Sequence, residues 1–129
     1  MRLLLDTHVL LWAVGMSTRL SAATRQMLET PDNEVCYSAA NLWEIAIKSS
    51  LRRTDFQVDP ERLLTVLPTM DLTELPITAR HAAAVARLPP LHRDPFDRLL
   101  IAQSQVEPMI LLTNDELLVQ YGASVRLID

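Results

Sequence analysis

Short apolar runs without polar alternation, separated by helix signals, constrain this chain more than any other feature. Leu3–Leu5 is the first such run and ends at Asp6. Met109–Leu112 is another, Glu34–Tyr37 and Val125–Ile128 read as short strands with one charged residue each, and Leu72–Leu75 reads as a strand or an extended link. A strand exposed on one face alternates apolar and polar residues. A continuous apolar strand is buried on both faces, as in a parallel sheet covered by helices. The segments between the runs supply those helices. Thr7 is the expected N-cap of a helix to Val14, and Ser21 that of a helix to about Glu29. Pro31-Asp32-Asn33 is a turn, and Ser38 caps a long helix from Ala39 to about Leu51. Asp59-Pro60-Glu61 has the order of a helix start, and that helix runs to Leu67 before Pro68. Pro76 and Thr78 open a helix from Ala79 to Leu88, which Pro89-Pro90 ends. Asp94-Pro95 starts a helix to about Gln105, and Asp115–Tyr121 reads as another. Strands alternating with helices predict an α/β fold.

The chain has 129 residues, which predicts one domain over 1–129. A chain of this length buries roughly two-thirds of its unfolded surface and needs no disulfide staples. Its single cysteine, Cys36, lies in an apolar run and is expected to be a buried, inert thiol in a reducing compartment. Met1-Arg2 runs straight into Leu3–Leu5, which Asp6 interrupts. That apolar stretch is too short for a signal peptide, and none in the chain is long enough to span a bilayer. The expectation is a cytoplasmic protein with no membrane association. The net charge of −4 argues against a general nucleic-acid binder, yet the cations are eleven arginines and one lysine, Lys48. Arginine suits bidentate phosphate contacts.

Functional sites in open α/β sheets form at the carboxyl ends of the strands. Asp6 follows the first strand, and Asp115 follows the "ILLTN" stretch. Asp97 lies in the first turn of a helix that feeds that later strand. Glu44 lies in the helix after the second strand, amid Leu42, Trp43, Ile45, Ala46 and Ile47. A parallel sheet brings all four to one edge. Each has a structural alternative. Asp94, Pro95 and Asp97 fit the N-cap, N1 and N3 positions of a helix. Asp115 fits a helix start, and Glu44 fits an i, i+4 pair with Lys48. Asp6 is the hardest to assign so, because an ionised carboxylate after a buried strand is costly without partners. Clustered carboxylates repel one another unless a cation compensates. Four oxygen ligands without a cysteine pair or an HExxH favour Mg2+ or Mn2+ over zinc. Such an ion points to phosphoryl chemistry.

Four segments in order, "LLLDTHVLLW" (Leu3–Trp12), "SAANLWEIAIK" (Ser38–Lys48), "LPPLHRDPFDRLLIAQ" (Leu88–Gln103) and "LLTND" (Leu111–Asp115), carry a closer resemblance. The sequence resembles the PIN-domain family, and within it the VapC-type ribonuclease toxins of bacterial toxin–antitoxin pairs, over essentially its whole length. The resemblance implies a three-layer sandwich with a central parallel sheet of about 4–5 short strands flanked by helices. It implies a Mg2+- or Mn2+-dependent RNA endonuclease. Asp6, Glu44, Asp97 and Asp115 match the family's four acids, which act as catalytic metal ligands, Asp115 through water. Thr113 is expected to support Asp115. Asp94 belongs to the "HRDPFD" pattern and is expected to cap the helix, leaving Asp97 to the metal. The implied partners are an RNA substrate, a cognate antitoxin whose tail enters the acidic groove, and a second copy in a homodimer. The "LLWAV" and "LWEIAI" stretches are candidates for those protein surfaces or for core.

Other polar residues are assigned from position. His92, Arg93 and Arg98 flank Asp97 and are candidates for RNA phosphate contacts. His8 is expected to be structural, and Trp12 and Trp43 to pack in core or interface. His81, in "RHAAAVARL", is expected at the surface. The chain departs from the family pattern after the second motif's helix, where members often carry Gly-Lys and this chain reads "SSLRRTDF". With two glycines in all, it has no glycine-rich phosphate loop. Rival readings fare less well. A phosphoacceptor domain needs a lysine after a late strand, and Lys48 is early. A phosphatase with an Asp-x-Asp motif would need an acid where His8 stands. A PIN-like module that binds RNA or a protein without cutting is the remaining alternative.

Overall fold

A computed structural model describes residues 1–15 and 17–128, with Asp55 described by its backbone alone. Five strands form one sheet: β1 (Arg2–Leu5), β2 (Glu34–Ser38), β3 (Thr73–Leu75), β4 (Ile110–Thr113) and β5 (Val125–Leu127). Their order is β3-β2-β1-β4-β5, and every neighbouring pair is parallel. The helices are α1 (Thr7–Val14), α2 (Ala22–Glu29), α3 (Ala39–Ser50), α4 (Pro60–Val66), α5 (Ala79–Ala84) and α6 (Pro95–Val106). The α/β parallel-sheet fold expected from the sequence is the fold observed.

The unbroken apolar run of β1 now has its cause. Leu3, Leu4 and Leu5 are all fully buried, but alternate residues face opposite sides of a strand. Leu3 and Leu5 join one core with Val9, Leu10, Ile45, Phe56, Leu63 and Leu67. Leu4 joins the other with Cys36, Leu100, Ile101, Leu111 and Leu118. Burying one such leucine stabilises the fold by roughly 2 kcal/mol. Cys36 lies in the second core, where burial pushes its thiol up to about 11 and keeps it unreactive.

β1 sits at the centre, so the chain leaves it towards β2 on one side and reaches β4 on the other. The crevice for a ligand opens at such a reversal of strand order, beyond the carboxyl ends of the strands. Ser38 ends β2 and caps α3: its hydroxyl accepts from the Ala40 N–H (2.9 Å), while Asn41 Oδ1 accepts from the Ser38 N–H (2.7 Å).

Several elements differ from expectation. Asp6, not Thr7, stands at the N-cap position of α1, and its side chain makes no capping hydrogen bond there. The fourth helix signal gives α4 to Val66, then a 3-10 turn over Leu67–Met70. α5 tightens into a 3-10 turn at Val85–Arg87, and Glu116–Tyr121 is 3-10 instead of α-helical. His81 is buried, not on the surface. Its Nδ1 accepts from the Thr78 N–H at the start of α5 (3.1 Å), and its Nε2 lies 2.5 Å from Glu107 Oε2. Gln103 Nε2 lies 3.4 Å from the same ring, and its Oε1 accepts from the Ser38 hydroxyl (2.6 Å), so this polar chain ties α5, α6 and the β2–α3 junction together. Trp43 is 55% exposed, with its ring edge-on to Phe96 at 5.0 Å.

Candidate active site

Asp6, Glu44, Asp97 and Asp115, from four different elements, line one cleft of about 630 Å³ at the carboxyl end of the sheet. Asp6 stands where β1 turns into α1. Its backbone N–H donates to Leu112 O across the β1–β4 seam (3.0 Å), and its Oδ2 accepts from the Thr113 hydroxyl at 2.5 Å. The residue is 5% exposed. Burial raises its proton affinity, the Thr113 hydrogen bond opposes this, and the nearby Glu44 raises it further.

Glu44 reaches the cleft from the second turn of α3. It is 4% exposed, and both carboxylate oxygens are engaged. Oε1 accepts from the Thr7 hydroxyl (2.6 Å), and Oε2 meets Lys48 Nζ at 2.5 Å. The i, i+4 pair read from the sequence is therefore present, and it stands inside the cleft instead of on a solvated face. Thr7 is held in turn by Asn41, whose amide donates to the Thr7 oxygen (2.9 Å) and to Leu5 O (3.2 Å). Sequence reasoning missed Asn41 and gave Thr7 the wrong task. The available signal was the position of each, one just after the strand-ending acid and the other at N3 of the capping box.

Asp97 occupies the first turn of α6, and Asp94 caps that helix. Asp94 Oδ1 accepts from the N–H groups of Phe96 (2.9 Å) and Asp97 (3.0 Å). The Asp97 carboxylate is turned into the cleft, where His92 Nε2 lies 2.8 Å from Oδ2. Burial first, then the negative charges of Asp6 and Asp94, push its carboxyl up to about 7, against the His92 hydrogen bond. Asp115 enters from the loop after β4. Its N–H donates to Thr113 Oγ1 (3.0 Å), and its Oδ1 accepts from the Leu117 N–H (2.9 Å). The Thr113 hydroxyl thus touches both the side chain of Asp6 and the main chain of Asp115. One atom from each of His92, Asp97 and Asp115 lies within 4.8 Å of the others.

Burial and mutual repulsion raise the proton affinity of Asp6 and Asp97, and a cation in the cleft would offset both effects. The donors are carboxylate oxygens with one imidazole at the edge, which suits a hard divalent ion such as Mg2+ or Mn2+. The set lacks the thiolates of a closed zinc site.

The sequence profile described as PIN domain matches residues 3–123. The chain belongs to the PIN domain family. Solved structures agree on the fold. VapBC2 from Rickettsia felis, crystallised with a DNA fragment from its promoter, is 18% identical, with a TM-score of 0.74 over 100% of both chains. DNA-bound VapBC from Salmonella typhimurium is 16% identical, with a TM-score of 0.68 over 98% of this chain and 96% of that one. FitAcB from Neisseria gonorrhoeae is 20% identical, with a TM-score of 0.62 over the same shares. A search of curated proteins finds no match. In this PIN domain the three basic candidates beside Asp97 separate. His92 lines the cleft and Arg93 is exposed near it. The Arg98 guanidinium instead donates to the carbonyls of Val85, Pro89 and His92 and to the Tyr121 hydroxyl, tying α6 to the loop before it. Among the described residues no helix is long and apolar enough to cross a membrane.

Proposed function

We infer that this PIN domain is a Mg2+- or Mn2+-dependent endoribonuclease of the VapC type, the cytoplasmic toxin of a toxin–antitoxin pair. The observation that carries the reading is the convergence of four carboxylates from four elements in one cleft. Asp6, Glu44, Asp97 and Asp115 would hold the ion. Bound there, it supplies positive charge to the phosphate oxygens and to an attacking water. The chain's own part is to fix the ligands before RNA arrives. Thr113 holds Asp6, Thr7 and Lys48 hold Glu44, His92 holds Asp97, and the Asp94 cap fixes the turn that presents Asp97. In the reaction a water oxygen bonds to phosphorus while the bond from phosphorus to the leaving ribose oxygen breaks. The proton lost by the water ends on that ribose oxygen. His92, which lines the cleft, and the exposed Arg93 next to it in the chain would meet the flanking phosphates.

The reading includes a homodimer and an antitoxin. Trp43, Ile47 and Leu51 recur every four residues along α3 and its end, and all three are exposed. Such an apolar stripe suits a protein interface.

The test uses the purified chain, total RNA, and Mg2+, Mn2+ or EDTA, beside Asp97→Asn. The expected result is discrete cleavage that needs metal and drops about 100-fold or more in the variant. RNA that is bound but left intact under every metal condition would replace the nuclease with a non-cutting RNA-binding module.

A further inference from the structure

A second groove adjoins the carboxylate cleft. It is lined by His8, Leu11, Trp12, Arg19, Thr54 and Asn114, and His8 and Asn114 also line the cleft itself. The two cavities therefore share a wall. Their chemistry differs sharply. The first is walled by carboxylates. The second offers an aromatic ring, an arginine, a hydroxyl and an amide.

The groove is already layered. The Arg19 guanidinium lies over the Trp12 ring, 5.5 Å from its centroid. No carboxylate among the described residues pairs with Arg19. The His8 ring stands 6.2 Å from Trp12 at 45° and meets Phe56 edge-on at 5.2 Å. Trp12 packs partly on the core, which fixes the ring in place, and the rest of it lines the groove. Aromatic rings and guanidinium planes both stack on unpaired nucleobases, and a guanidinium also bonds phosphate. An acidic cleft repels RNA away from its metal, so a cationic stacking surface next to it supplies the attraction the cleft lacks.

We propose that the Trp12–Arg19 groove is a nucleotide-binding subsite that stacks an unpaired base one or a few nucleotides from the scissile phosphate. This rests on the endoribonuclease reading above. A base within a duplex cannot reach such a platform, whereas a loop or single strand can.

The test measures binding of labelled single-stranded RNA 10-mers, and of hairpin duplexes of the same sequences, in an Asp97→Asn background with Mn2+. Trp12→Ala, Trp12→Phe and Arg19→Ala are compared, and the otherwise native chain is assayed for cleavage of the same RNAs. The expected result is preference for the single strand and about 10-fold weaker binding in Trp12→Ala. Trp12→Phe should recover most of it, and Arg19→Ala should flatten the dependence of log affinity on log salt by about 0.7. Arg19 is exposed, so its variant tests the groove without risk to the core. Mn2+ affinity, read by thermal shift in the otherwise native background, should be unchanged in all three. If the native chain cuts but the variants bind single strands as tightly as the parent, the subsite is overturned and the groove is left for a protein partner. If the native chain neither binds nor cuts RNA, the nuclease reading fails and takes the subsite with it.

Discussion

Thr113 joins two carboxylate-bearing segments through one hydroxyl. It is fully buried, donates to Asp6 and accepts from the Asp115 N–H. Thr113→Val keeps the shape and removes both bonds, leaving a buried acceptor and a donor without partners. The expected cost is about 2 kcal/mol, read from urea unfolding. The same change removes the largest influence that lowers Asp6's proton affinity, so Mn2+ binding should move to higher pH. Thr113→Ser should restore both. A Thr113→Val protein with parental stability and metal titration would show that Thr113 merely fills space. At this scale the sequence was partly legible. Thr113 was singled out by its position two residues before Asp115. Its principal partner lies 107 residues away, and no local pattern reports a contact of that range.

The helix starts and ends account for much of the site's geometry. At α6 the Asp-Pro start was legible because capping is a local interaction. Asp94→Ala is expected to cost about 1 kcal/mol, and Asp94→Ser, a comparable cap, to recover most of it. Both variants remove a negative charge that raises Asp97's proton affinity. Metal-dependent cleavage retained in Asp94→Ser would confirm the cap, whereas loss as complete as in Asp97→Asn would make Asp94 a ligand. At the end of α3 the departure from the family's glycine has a structural cost. Arg52 follows the C-cap with φ 57°, in the left-handed region, and its N–H donates to Ser49 O (2.9 Å). Only glycine adopts that region freely. Arg52→Gly is therefore expected to stabilise the protein by about 0.5–1 kcal/mol, read as a higher unfolding midpoint. A lower midpoint would mean that the arginine side chain contributes more than the backbone strain costs. α5 was legible at both ends, from the Thr78 cap and the Pro89-Pro90 stop, but the burial of His81 was not, because polar bonds to Thr78 and Glu107 bury it and periodicity does not register them.

Across the whole molecule, the continuous apolar strands were enough to fix a parallel sheet, since β1 must be covered on both faces. They could not reveal which strands flank β1, because order depends on packing between distant segments. That order brings the acids together, and their crowding makes stability depend on pH and on metal. An unfolded Asp97 titrates near 3.8, whereas in the fold it is pushed up to about 7. Between those values the folded chain holds a proton that the unfolded chain has lost. Raising the pH through this window therefore removes stability, which is fully present below about 4 and gone above about 7. Asp6 is shifted in the same direction by burial. In EDTA the melting temperature of the parent should fall from pH 5 to pH 8 relative to Asp97→Asn, which carries no such proton. At pH 8 the variant should melt about 5 °C higher than the metal-free parent. Saturating Mn2+ should close that gap at pH 8 and do far less at pH 5, where protons compete for the same oxygens. The measurement is a grid of thermal melts over pH, with and without Mn2+, for both proteins. Parallel pH curves for parent and variant in EDTA would show that Asp97 is not crowded, and would remove the electrostatic argument for a cation in the cleft.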